Sequence, residues 1–227
     1  MKDSQKIVIK RVCGCCKESL HINVDSIENA IYYDKTTYHR DCFINMCDRR
    51  SKMKRVDVSQ KWSFVQKNIE SIKKESYKHL YKEICKESVY DFIKESYGIS
   101  IIPTTVWQKL ASIYSGTFKG MTNGIPPDHL LDMWERKMDM LNKIAANNTT
   151  KGNSMKDDYR LNYDLSILVN KYDSYLRWRE RQKILETEKA VEKSENIVGR
   201  SIGYSKQKNE DSYVSDDISD LVDDIFT

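Results

Sequence analysis

The chain has 227 residues, 39% of them hydrophobic and 32% charged, which suits one moderate domain with appendages and a thin core. Eight Gly and three Pro supply few obligatory turns, which favours helices over a many-stranded sheet. No apolar signal region opens the chain and no run of about 18 apolar residues occurs, so neither export by a usual signal nor a membrane partner is expected. The net charge of +4 is unevenly spread: Asn209 to Thr227 holds seven acidic residues and no Lys or Arg, leaving +11 on residues 1–208. A basic body with an acidic tail suits a polyanion binder, and equally a solubility balance on an ordinary helical protein.

Residues 5–10 alternate in the manner of a strand and lead to the first of two ligand pairs. Cys13-x-x-Cys16 is followed, after 22 residues, by His39-x-x-Cys42. Two close pairs joined by a short polar stretch are what a tetrahedral Cys₃His zinc site needs, each pair presenting two donors from one direction. All four positions are then filled by protein, so one Zn²⁺ is expected to hold a fold rather than to activate a water. A reducing, cytoplasmic location fits thiolates kept for a metal. Cys15 and Cys47 are further thiols nearby. Cys15 replaces Cys16 only by losing the two-residue gap, and Cys47 replaces Cys42 only if the helix bends. Residues 20–24 and 30–38 read as strands, the latter as a hairpin with its turn at Asp34-Lys35. His39 and Cys42 then fall on the first turn of a short helix.

The stretch Cys13-x-x-Cys16 … Tyr38-His39-Arg40-Asp41-Cys42-Phe43 resembles the first zinc-binding half of a LIM, or treble-clef, module. It is also similar to single N-terminal fingers in small proteins of bacteriophages and mobile elements. In both, an aromatic residue precedes the His and a Phe or Tyr follows the last Cys, as Tyr38 and Phe43 do here. The resemblance covers roughly residues 8–48. The second zinc half of a LIM domain is missing, which implies a lone structural finger.

A basic run follows at Arg49, Arg50, Lys52, Lys54 and Arg55, a candidate for phosphate contact or a solvated linker. Ser59 is placed to cap a helix carrying Trp62, Val65, Ile69, Ile72, Leu80, Ile84, Val89, Phe92 and Ile93 at helical spacing, with Gly98 as its stop. Lys67, Lys73, Lys74, Lys78, Lys82 and Lys86 lie along it with Glu interspersed, the pattern of a solvated face. Cys85 falls among its apolar residues and reads as core. Pro103 opens another helix. Pro126-Pro127-Asp128 starts a further one with Leu130, Met133, Trp134, Met138 and Leu141 as its apolar stripe. These two helices, joined by a Gly-containing loop, read either as core packing or as a helix-turn-helix variant. Asn147 to Ser154 reads as a polar linker, and Tyr159 to about Lys193 as a long charged helix. In that helix Tyr172, Tyr175, Arg177, Trp178, Arg179 and Arg181 interleave aromatics with cations, which suits base stacking or ordinary helix packing.

From about residue 194 periodicity is lost, and a disordered acidic tail is expected. Within it Ile218, Leu221, Val222 and Ile225 follow helical i, i+3, i+4, i+7 spacing, with Phe226 beside them, as a docking segment for a protein partner would. The tail also resembles the acidic tips of single-stranded-DNA-binding proteins, although Thr227 follows the aromatic and no Pro precedes it. No Gly-rich phosphate loop, His-Glu-x-x-His or Gly-x-Ser-x-Gly pattern occurs, so no enzymatic activity is expected.

The expected architecture is mainly α. It comprises a zinc-bound β-hairpin and helix module over 1–50, a helical domain over 51–193 and an acidic tail over 194–227. The expected function is non-enzymatic binding of DNA or RNA in replication or transcription. The alternative is a protein–protein adaptor or host-directed regulator.

Overall fold

The computed structural model describes residues 7–118, 120–150 and 157–201. Two compact units divide the chain, Met1–Arg160 and a second that begins at Leu161. The fold is mainly α, with two small antiparallel hairpins at the N-terminal end.

Strand β1 (Ile9–Val12) pairs with β2 (Ser19–Ile22), Ile9 opposite Ile22 and Val12 opposite Ser19. The turn between them is the Cys13–Cys16 knuckle. Lys17 adopts a left-handed φ of 67°, its N–H donating to the Cys13 carbonyl at 3.1 Å, while the Cys13 N–H donates to the Glu18 carbonyl at 2.8 Å. β3 (Ala30–Tyr33) and β4 (Thr36–His39) form the second hairpin. Its two-residue turn is Asp34-Lys35, as the sequence predicts. Both residues are left-handed, with φ of 48° and 61°, the twist that a tight hairpin turn demands.

Helix α1 (Arg40–Ser51) follows directly and buries Phe43, Met46 and Cys47, which share one face by their i, i+3, i+4 spacing. The next helical stretch departs from the sequence reading in two ways. It begins earlier, so Ser59 lies inside α2 (Val56–Lys67) rather than capping it, with its hydroxyl turned back to the Val56 carbonyl at 3.1 Å. It also breaks at Asn68, whose side-chain amide donates to the Phe64 carbonyl at 2.8 Å and ends α2 there. α3 (Ile69–Tyr97) then runs to Gly98, which caps it in the left-handed region with φ 63°.

Two apolar clusters are built on this frame. In one, Leu80 and Ile84 of α3 pack with Ile9, Leu20, Ile22, Ile27 and the buried Cys13. In the other, Phe43 and Met46 of α1 pack with Ile31, Trp62 and Val65. The N-terminal module therefore has no core of its own: both clusters are completed by helices beyond residue 55. Two polar contacts strengthen the join. The Tyr32 N–H donates to the buried Ser76 hydroxyl at 2.7 Å, and the Tyr32 ring stacks on His79.

α4 (Thr104–Ser115) and α5 (Pro127–Thr150) bury Val106, Leu110 and Ile113, and Leu130, Met133, Trp134 and Leu141, respectively. α5 continues through the start of the expected polar linker at Asn147. The Trp134 indole N–H donates to the Tyr97 hydroxyl at 3.0 Å, tying α5 to the end of α3. α6 (Asp157–Ser201) buries Leu161, Leu165, Leu168 and Tyr175 and extends past the expected end near Lys193. The extension over 194–201 holds no Pro, and it carries Gly199 within it. The remainder of the acidic tail, including Ile218, Leu221, Val222, Ile225 and Phe226, lies outside the described residues. No helix among the described residues is long and apolar enough to cross a membrane.

Candidate metal centre

The knuckle and the start of α1 converge at the end of the second hairpin. Donor atoms of Cys13, Cys16, His39 and Cys42 all lie within 4.8 Å of one another, the four residues that the spacing selects. The His39 Nδ1 sits 3.3 Å from the Cys16 Sγ and 3.9 Å from the Cys42 Sγ. Zinc–thiolate and zinc–imidazole bonds of about 2.3 and 2.0 Å imply tetrahedral donor–donor edges of about 3.5 Å, and these separations bracket that value. The residues therefore fit a four-coordinate metal ion with no position left for water.

Local geometry explains how the pairs meet. The Gly14 N–H donates to the Thr37 carbonyl at 2.9 Å and locks the knuckle onto β4. A Cβ at Gly14 would stand 2.5 Å from the Thr36 methyl and 2.6 Å from the Tyr38 ring, so only glycine permits this approach. His39 ends β4 and Cys42 lies one helical turn later, which turns both side chains to one side.

The electrostatics call for a cation. Burial opposes the Cys13 thiolate. The backbone N–H groups of Cys16, His39 and Cys15 nonetheless bring its pKa down to about 6. The Cys42 thiol is pushed up to about 12, first by burial and then by the neighbouring sulfurs of Cys16 and Cys13. A divalent cation beside the Cys42 sulfur would favour its thiolate against that burial.

The other cysteines are settled by position. Cys47 is buried among the aromatic residues of the second cluster, where burial pushes its thiol up. Cys85 is buried in α3 and pushed up to about 11, chiefly by burial. Cys15 is exposed, and its N–H points at the Cys13 Sγ at 3.4 Å. Among the described residues the four-residue cluster is the one group of His, Cys, Asp and Glu that could hold a metal ion.

The basic run after the module divides between the end of α1 and the segment that leads into α2. Arg49 and Arg50 belong to α1. The Arg50 guanidinium lies over the Trp62 ring at 4.9 Å, Lys52 pairs with Asp48 at 2.8 Å and Arg55 with Asp57 at 3.1 Å. Among the described residues neither Arg49 nor Lys54 enters an ion pair. A different basic cluster, on helix positions read from sequence as an ordinary solvated face, surrounds a cavity of about 460 Å³. Arg40, Lys73, Lys74 and Lys78 stand over an apolar floor of Ile27, Ala30 and Ile31, with Glu28 and Glu70 also present. The i, i+4 lysine spacing was visible in the sequence. The meeting with Arg40 and the second hairpin was not.

The helix-turn-helix candidate does not gain from the structure. The faces of α4 and α5 that carry their apolar residues are buried, and the Ile125 N–H, just before α5, donates to the Ile113 carbonyl of α4 at 3.0 Å. In α6, Tyr175 is buried between Tyr172 and Trp178, whose rings lie 6.3 and 5.8 Å away.

No protein-family model matches the chain, and no curated protein or solved structure matches it.

Proposed function

We propose that this chain is a non-enzymatic nucleic-acid-binding accessory protein, of the type found in bacteriophages and mobile elements, whose N-terminal module holds one structural Zn²⁺. Three thiolates and an imidazole in a closed tetrahedral arrangement are the donor set of structural zinc. When bound, the ion supplies folding energy to the module and no reactive water. The thiolates suit the reducing cytoplasm of a host cell.

The observation that carries the reading is the convergence of Arg40 with Lys73, Lys74 and Lys78 at the junction of the module and α3. Arg40 brings a cation from α1 beside three lysines of α3, and although Lys73 and Lys78 are paired with Glu70 and Glu75, surface pairs of that kind give way to the phosphates of a polyanion. The test is titration of labelled DNA and RNA at two salt concentrations. Affinity that falls steeply with salt supports the reading, and no binding to either at low salt sinks it. One zinc per chain by elemental analysis is expected, and none would end the metal assignment.

A second reading, a protein–protein adaptor, is favoured by α2, which leaves Val56 64% and Phe64 68% exposed. Capture of a defined protein partner that is lost in Phe64→Ser, with no nucleic-acid affinity, would favour it.

A further inference from the structure

We infer that the exposed face of α3 between Lys73 and Lys82 is a track for single-stranded nucleic acid, on which Tyr77 and Tyr81 stack unpaired bases. The inference rests on the nucleic-acid reading above and adds the strandedness of the ligand and the residues that select it. Tyr77 and Tyr81 stand one turn apart with their ring planes 7° from parallel and centroids 6.1 Å apart. They are 41% and 36% exposed, on a helix whose other large apolar side chains are buried or half-buried. Two parallel, solvent-facing rings offer base-sized surfaces that accept any base, because every base has a π-face. Tyr81 stands one turn before Cys85, and the two line one cavity.

The surroundings divide the labour. Lys74, Lys78 and Lys82 repeat every four residues beside the rings, a ladder of charge at helical pitch. Among the described residues Lys74 and Lys82 enter no ion pair, whereas Lys78 is held by Glu75 at 3.0 Å and Lys73 by Glu70 at 2.6 Å. Exposed pairs of that kind hold weakly and exchange readily for a phosphate. Each ring also borders a cavity. Tyr77 lines the one with the Ile27 and Ile31 floor, and Tyr81 lines a second of about 220 Å³ with Ile125 and Pro126. Glu28 at the first cavity and Asp128 at the second disfavour phosphate inside them. Bases therefore belong against the rings and apolar floors, and phosphates along the lysine ladder. A duplex keeps its bases stacked inside and would meet only the lysines.

The test uses the full zinc-loaded chain and fluorescence anisotropy. The probes are a labelled oligothymidine, an oligouridine of equal length and a duplex of that length, each at two salt concentrations. Both single strands are expected to bind more tightly than the duplex. Tyr77→Ala with Tyr81→Ala should weaken single-strand binding by roughly 10- to 100-fold and leave the duplex unchanged, with Phe at both positions restoring it. Lys74→Gln with Lys82→Gln, which spares the rings, should lower the salt dependence for every probe. If the double Ala variant keeps its zinc and still binds single strands as the parent does, or if the duplex binds equally well, the track is wrong while the nucleic-acid reading survives. If no probe binds at low salt, the nucleic-acid reading fails and the track with it. If binding resides in only one of DNA and RNA, the track stands for that polymer.

Discussion

The imidazole of His79 lies flat on the ring of Tyr32, with centroids 3.7 Å apart and planes 14° from parallel. Tyr32 belongs to the second hairpin and His79 to α3, so this stack sits on the seam between the metal module and the helices. Below it, Leu80 and Ile84 enter the same apolar cluster as Cys13, Ile9 and Ile22.

Metal removal should therefore reach α3. In Cys16→Ser, or after chelation, hydrogen exchange is expected to accelerate across the two hairpins and along α3 near Ser76 to Ile84. The α4 segment around Leu110 should stay protected. Acceleration confined to residues before Ser51 would show that α3 holds its structure without the module, contrary to the shared core.

The same seam makes stability depend on pH. Burial lowers the His79 pKa. Glu83 opposes this, while Lys86, Arg11 and Lys82 add to it. The folded chain thus holds the imidazole neutral where the unfolded chain takes up a proton, and stability falls as pH drops below about 6.5. His79→Phe keeps an aromatic ring on Tyr32 and removes the titration. The difference in Tm between parent and variant should change between pH 7 and pH 5 in the variant's favour. Parallel curves would remove His79 as a contributor and leave the metal ligands to account for acid sensitivity.

Gly14→Ala should cost about 1–3 kcal/mol, because its methyl has to displace both the Thr36 methyl and the Tyr38 ring where the knuckle meets β4. Zinc affinity should weaken with it. Gly98→Ala provides the contrast. No atom lies near its Cβ, and only the left-handed backbone resists, at about 1 kcal/mol. Denaturant midpoints of the two variants rank the effects. Equal losses, or a Gly14→Ala variant with parental zinc affinity, would mean that the knuckle tolerates displacement.

Phe43→Ala removes a ring with no exposed surface that lies 5.3 to 6.3 Å from the rings of Tyr33, Tyr38 and Trp62. A loss of about 3–5 kcal/mol is expected by chemical denaturation. A loss below about 1 kcal/mol would show that α1 is held by Cys42 and the metal alone.

Much of the metal centre was legible in the sequence because its determinants are local. Spacing alone selects Cys13, Cys16, His39 and Cys42, and Asp34-Lys35 announces its turn. Gly98 marks the end of α3 by the same logic. What escaped depends on partners distant in sequence. Gly14 looks like any loop glycine until Tyr38 is brought against it. Leu80 and Ile84 follow a helical period that says nothing of the hairpins they cover. Asn68 breaks the helix through a side-chain bond that periodicity does not register. Tyr77 and Tyr81 sit in a Lys- and Glu-rich stretch where an exposed ring is indistinguishable from a buried one until α3 is placed.

The division of one core between early and late residues has a consequence for synthesis. All four ligands leave the ribosome by Cys42, but the apolar backing of the knuckle waits for Leu80 and Ile84. A nascent chain can thus complete its ligand set while Ile9, Leu20 and Ile22 are still uncovered, and their shielding arrives only with α3. Synthesis of α3, and not completion of the ligand set, therefore sets how long that unfinished surface faces solvent.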